Sequence, residues 1–410
     1  MSNNQIQKKA NVPTLRFPEF EGEWERMRAL ELLDFFSTNS LSWEQLEYGG
    51  QDKLNLHYGL IHNGLPTLVN AAKDELPAVK PEFAPKKFTL CKEGDVAFAD
   101  ASEDTNDVGK VVEFVNCDGK DIVCGLHTIH GRDKEDKTVV GFKGYAFSSP
   151  AFHDQIRRIA QGTKIYSINT SNFDEVYIGI PGKEEQRRIV ALLSKIDERI
   201  AIQNKIIEDL KRLKTGIENK CFGSLSGKRC SLDDILVERI EKTTRNNQHD
   251  ILSSTVNGIF SQKEYFNKEV ASADNTGYKV VYKEDIVLSP QNLWMGNINY
   301  NDRFNVGIVS PSYKVFSIKD GLDKQFIASL LKSSRAIWMY SLVSEQGASI
   351  VRRNLNLDSF MQLSFPIPGL SEQKKISNAI FAIAEKISLE DGVRKSLEIQ
   401  KKSLLTGMFI

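Results

Sequence analysis

Two stretches of the chain space their apolar residues more narrowly than a globular helix face requires. From Ile189, apolar side chains recur at Leu193, Ile196, Ile200, Ile207 and Leu210, a 4-3-4 spacing interrupted once by Gln203. A second series runs through Ile376, Ile380, Ile383, Ile387 and Leu397, with Glu390 at the interruption and Arg394 in place of Ile207. A seam repeating every ~3.5 residues, with polar residues on the remaining faces, predicts two coiled-coil helices. Each spans nearly 40 residues, so about 55–60 Å at ~1.5 Å per residue.

Both helices open on one phrase. PGKEEQRRI (Pro181–Ile189) heads the first and PGLSEQKKI (Pro368–Ile376) the second, 187 residues apart. Extended without a gap from Phe173–Phe222 onto Phe360–Phe409, the match keeps 13 of 50 residues, against roughly three expected from average usage. Proline suits a helix entrance and Ser371 reads as an N-cap. Glu184, Glu185 and Glu372 lie in the first turns and Lys214, Lys220, Lys401 and Lys402 near the ends, as the helix dipole prefers. Gly392 and Arg394 predict looser packing in the second helix.

The segments before the helices alternate short strand patterns with turns. Strands are expected at Val96–Ala99, Val111–Val115, Ile122–Cys124 and Val139–Phe142, then at Lys279–Tyr282, Ile286–Ser289, Ile308–Val309 and Tyr313–Ile318. Helices are expected at Phe152–Ala160 and Lys324–Leu342. A weaker repeat sets Lys92–Val96 against Lys283–Ile286, and Gln161-Gly162 against Gln346-Gly347. The expected fold is α+β: two mixed α/β domains (1–180 and 223–367) and two long helices (181–222 and 368–410). The helices are expected to pair as an antiparallel coiled coil within an internal pseudo-two-fold repeat. The polar start, residues 1–12, has no signal-peptide core and is expected to be a mobile tail.

Composition narrows the chemistry. Fifty-four basic residues balance 54 acidic ones, which argues against strong stand-alone binding to a polyanion. Five cysteines, odd in number and irregularly spaced, suit a reducing cytoplasm. No 18-residue apolar window suggests a membrane span. No G-x-G turn, phosphate loop, H-E-x-x-H or G-x-S-x-G signature occurs, so no catalytic or cofactor-binding role is expected of the chain itself. Cys117, Cys124, His127 and His130 crowd one stretch, but C-x6-C-x2-H-x2-H matches no standard zinc spacing. Cys124 reads instead as a buried apolar position, and no metal is expected.

Two unlike domains on a symmetric helical spacer suit an asymmetric, split target, much as dimeric DNA readers engage half-sites about 34–36 Å apart. The chain also resembles the specificity subunits of type I restriction–modification systems. The likeness rests on the opening PTLRFPEFEGEWERMRALELL, the twice-written Ile-Pro-Gly-x-x-Glu-Gln and the final QKKSLLTGMF. It implies two target-recognition domains, each reading half of a bipartite site in double-stranded DNA, and a coiled coil that sets the gap. It further implies docking of two methylation subunits, which bring S-adenosylmethionine, and two restriction subunits, which use ATP and magnesium.

Side-chain chemistry nominates the readers. Amides pair with adenine and arginine with guanine, so SPQNLWMGNINYN offers Gln291, Asn292, Asn297 and Asn299 beside Trp294. The matching ADASEDTNDVGK offers Ser102, Thr105, Asn106 and Lys110. In QGTKIYSIN and QGASIVRRN, Lys164, Arg352 and Arg353 are further candidates; adjacent strand residues face opposite ways, so at most one arginine of the pair is expected to touch DNA. Two rival readings are a coiled-coil scaffold for protein partners and a zinc-dependent nuclease built on Cys117–His130.

Overall fold

The computed structural model describes residues 11–50, 53–84, 87–265, 274–346 and 352–410; most of the expected tail lies outside them. The chain divides into two compact units, Met1–Ile202 with Val393–Ile410, and Gln203–Gly392. Among the described residues no helix is long and apolar enough to cross a membrane.

In the first unit a five-stranded sheet has the order Leu33–Phe36, Thr128–Asp133, Val96–Ala99, Val111–Asn116, Leu68–Asn70. Strand alternation explains its central strand. Val96 and Phe98 enter a core with Phe142, Tyr145, Phe147 and Phe152, while Ala97 and Ala99 face a second core with Leu56, Val112 and Phe114. Small residues on one side and large ones on the other match two layers of different depth. In the second unit, Ile286–Leu288 sits inside a four-stranded sheet. Ile286 and Leu288 join one core there and Val287 another.

The weak sequence repeat at these strands is a structural corner. Asp95 and Asp285 are buried, and their carboxylates accept N–H bonds from Lys92 (2.9 Å) and Tyr282 (2.8 Å). Each also holds an arginine through two hydrogen bonds: Arg132 at 2.7 and 2.7 Å, Arg239 at 2.8 and 3.1 Å. The residue before each aspartate is left-handed, Gly94 at φ +86° and Glu284 at +74°.

The long helices are Lys183–Gly223 and Leu370–Gly407. Pro181-Gly182 and Pro368-Gly369 precede them, and Ser371 lies inside the first turn rather than capping it. The repeated glutamine closes each entrance. Gln186 accepts the Val139 N–H (2.7 Å) and donates to the Pro181 carbonyl (2.8 Å); Gln373 accepts the Asp323 N–H (2.9 Å) and donates to the Pro368 carbonyl (2.8 Å). Glu185 is buried against Arg16 at 2.7 Å, whereas its counterpart Glu372 is exposed.

The helices run antiparallel within each unit. In the first, Ile189 and Leu193 share a core with Met408 and Phe409, and Lys401 pairs with Asp197 at 2.6 Å. In the second, Phe222 and Ile380 share a core, and Gln203 donates to the Glu390 carbonyl at 3.1 Å and to its carboxylate. The two polar interruptions of the seam are therefore each other's partners. Ile189, Leu193, Ile196, Ile207, Ile380 and Leu397 are buried; Ile200, Leu210, Ile376, Ile383 and Ile387 are half-buried. The second helix passes through Gly392 unbroken.

Two expected elements differ. Val139–Phe142 is a turn into the helix Phe142–Ser148, because the Gln186 side chain takes the Val139 N–H that a strand would use. Lys324–Leu342 is two helices, Lys324–Leu331 and Ser334–Leu342, since Ser333 turns its hydroxyl onto the Ala336 N–H and starts a new cap.

Candidate nucleic-acid interface

In the first unit, sheet pairing brings the two nominated loops together. Tyr166 and Ser167 pair antiparallel with Ser102 and Ala101. The Ser102–Lys110 loop is shaped internally: Asp104 accepts both the backbone and side-chain N–H of Asn106 at 2.9 Å. Asn106 is exposed and accepts from Arg157 (2.9 Å); Lys110 donates to the His62 carbonyl (2.9 Å). Asn106, Lys110 and Arg157, with His153 and Lys402, line a groove of about 420 Å³. Thr105 is half-buried and Lys164 exposed beside the exposed Ile165.

A cluster that the sequence reading passed over borders this patch. Tyr58 lies with its ring 4.7 Å from His57, 5.7 Å from His62 and 5.2 Å from His127. His57 stacks in turn on Trp43, which is 44% exposed. His62 Nε2 contacts the Ala101 carbonyl at 3.1 Å, tying the cluster to the loop. His127, at φ +53°, meets Asp100 at 3.1 Å. Burial raises the Asp100 carboxyl above its ordinary value, with His127 opposing. The signal available in sequence was the aromatic and imidazole density of HYGLIH, a composition suited to base edges and faces.

In the second unit the arrangement recurs with other chemistry. Ser344–Gln346 pairs with Arg353–Leu355, and the Arg353 N–H donates to the Gln291 carbonyl at 3.1 Å. The Arg353 guanidinium lies 4.2 Å over the Trp294 ring, a cation–π contact that holds the arginine rigid. Arg352 is exposed and Arg353 half-buried; the Gly347–Val351 portion of that motif lies outside the described residues. Gln291 is exposed and Asn292 half-buried. Met295, in the same turn, is 42% exposed; the helix packed against that turn carries Trp338, 62% exposed.

Asn297 and Asn299 leave the candidate set. Both are buried. Asn297 accepts from the Ser254 hydroxyl and donates to the Ser254 carbonyl, while Asn299 donates to Thr255 and accepts from Lys332 at 2.9 Å. Amides spent in this way cannot turn to a base edge without orphaning buried partners.

The four nominated zinc ligands are dispersed. His127 is on the exposed loop, and Cys117 directs its thiol at the Cys91 carbonyl, 3.8 Å away. Cys124 and His130 instead gather round Cys91.

The family model for the type I restriction modification DNA specificity domain matches residues 114–212 and 232–399. The chain belongs to this specificity family. The MjaVIII specificity subunit of Methanocaldococcus jannaschii is 25% identical over 283 residues, 60% of this chain and 65% of that one. A putative MjaX specificity subunit of the same organism is 23% identical over 98% of this chain and 97% of its own. A solved type I S subunit from M. genitalium shares the fold with a TM-score of 0.56 at 16% identity, covering 97% of this chain and 99% of that one. A second structure, from work on assembly and conformational transition of the type I system, gives 0.56 at 15% identity over 93% and 96%. Membership makes the chain a specificity subunit, a non-catalytic component of a restriction–modification complex.

Proposed function

We propose that this specificity subunit reads a bipartite, asymmetric DNA site, one half through each unit, and that the paired long helices set the gap. The observation that carries the reading is the recurrence of one patch at repeat-equivalent positions. Tyr166 pairs beside the Ser102 loop, and Arg353, on the strand at the matching place in the element order before the second long helix, bonds the Gln291 loop. The scaffold repeats while the chemistry does not: imidazole, phenol and lysine in one patch, arginine on tryptophan with amides in the other. Unlike readers on equivalent platforms select unlike half-sites.

Docking of two methylation subunits is supported by a second repetition. Ile202 and Ile206 on the first helix, and their equivalents Leu389 and Val393 on the second, are exposed apolar residues one turn apart, a pattern suited to covering by a partner. The methylation subunits would bring S-adenosylmethionine, and two restriction subunits ATP and magnesium; this chain binds none of them in the proposal. Near-zero net charge fits a reader whose partners share the contacts to phosphate.

The test is co-expression with the cognate methylation subunit, followed by single-molecule mapping of methylated adenines. One split motif with two defined halves and a fixed gap is expected. A stable complex without new methylation, and without sequence-selective DNA binding, would overturn the reading in favour of a scaffold.

A further inference from the structure

Behind the His127 loop, three donor atoms converge in the core of the first unit. The thiols of Cys91 and Cys124 are 3.5 Å apart, and these sulfurs and a ring nitrogen of His130 lie within 4.8 Å of one another. All three residues are buried, at 5%, 3% and 0% exposure. Their surroundings are apolar: Leu56, Val112, Phe114 and Ile122 belong to the same core.

The imidazole is the informative partner. His130 Nε2 lies 2.7 Å from the Asp95 carboxylate, which Arg132 holds in place through both oxygens. A carboxylate only accepts, so Nε2 carries a proton, and in the neutral tautomer Nδ1 presents a lone pair. That Nδ1 is buried without a hydrogen-bond partner among the described residues. Leaving such an atom unpaired costs about 1–3 kcal/mol. A carboxylate bonded to the far nitrogen of a histidine is the arrangement that orients metal-bound imidazoles.

We propose that Cys91, Cys124 and His130 form a binding site for a thiophilic d10 cation, zinc or cuprous copper. Two thiolates on one zinc at ~2.3 Å and near-tetrahedral angles stand about 3.7 Å apart, close to the 3.5 Å found. Two thiolates neutralise zinc, so that cluster carries no net charge into the core, whereas cuprous copper leaves one negative charge there. Sulfur donors with one imidazole favour these ions over magnesium or calcium. Binding releases the two thiol protons, while Nε2 keeps its own for Asp95. The cation would join the start of the turn before Val96–Ala99 to both ends of the segment that carries His127. Spacing within the sequence hid the site, because Cys91 stands 33 residues before Cys124 and reaches it through folding.

The test is elemental analysis of the full chain, purified without a polyhistidine tag from medium containing zinc and copper. About one equivalent of one of the two ions per chain is expected, and which one is bound identifies the cation. Cys124→Ser should lose it, while Cys221→Ser/Cys230→Ser should retain it. Should Cys124→Ser fail to fold, cobalt added to metal-stripped wild-type chain gives a separate readout, a thiolate-to-cobalt charge-transfer band. Either of two results overturns the proposal: metal far below one equivalent with no cobalt band, or loss of two of the five thiols to a Cys91–Cys124 disulfide.

Discussion

At the scale of single residues, Lys332 shows how an ordinary side chain becomes a pH-dependent strut. Its ammonium donates to the carbonyls of Val256 (2.9 Å) and Gly296 (2.6 Å) and to the Asn299 amide (2.9 Å), all uncharged. Burial lowers its pKa from 10.5 to about 8. Below pH 8 both folded and unfolded chains hold the proton, and the cost of burying charge is paid in full. Between about 8 and 10.5 the unfolded chain keeps a proton that the folded chain has shed, so stability rises with pH. After discount for its partly open end the rise is about 1–2 kcal/mol. Thermal unfolding followed by tryptophan fluorescence should show that slope, and Lys332→Met should remove this contribution. Arg353 and Arg352 make a second contrast. If Arg353 reads a base edge, Arg353→Ala should cost the assembled complex about 1–3 kcal/mol of binding and blur one half-site. Arg352→Ala should leave binding and its salt dependence nearly unchanged, since at most one arginine of the pair is expected to reach DNA; identical effects of the two variants would refute the division. The sequence named Asn297 as readily as Gln291, because residue type says nothing of burial. Ser254, which occupies Asn297, lies 43 positions away.

At the scale of elements, the helix entrance is where two copies of one phrase can be compared. Gln186 and Gln373 make the same clamp, so alanine at either should cost about 1–3 kcal/mol by breaking the buried bond to the Pro181 or Pro368 carbonyl. The neighbouring glutamates should behave differently despite matching in sequence. Glu185→Ala breaks the part-buried pair with Arg16 and should cost about 1–3 kcal/mol. Glu372→Ala, at an exposed site, should stay within about 0.5 kcal/mol. Denaturant midpoints of the four variants check both statements, and equal losses at the two glutamates would contradict the second. The long helices were legible because their periodicity is local and sustained. Strands such as Val96–Ala99 and Lys279–Tyr282 were legible for the same reason. Val139–Phe142 was not: its apolar run resembles a strand, and the Gln186 side chain that diverts it sits 47 residues on. The Tyr58–His127 cluster escaped for a like cause, assembled as it is by pairing between distant segments.

At the scale of the whole molecule, the seam carries the sharpest consequence of the proposed function. Gln203 and Glu390 are repeat equivalents that meet each other, and an antiparallel pair of equal helices permits such a meeting only at its middle. A half-buried polar contact there specifies register at some cost in stability. A symmetric insertion at this point is therefore the least disruptive way to lengthen the spacer. One added heptad in each helix, placed beside Gln203 and Glu390, keeps the apolar seam in phase and extends the pair by about 10 Å. Along a duplex rising ~3.4 Å per base pair, that is about three base pairs. The methylated motif should keep both halves and gain about three unspecified positions between them. A heptad in one helix alone puts the polar pair out of register and should instead lower complex stability. If the double insertion folds, assembles and methylates with the gap unchanged, the helices do not measure the site, and the spacing must come from the subunits docked upon them.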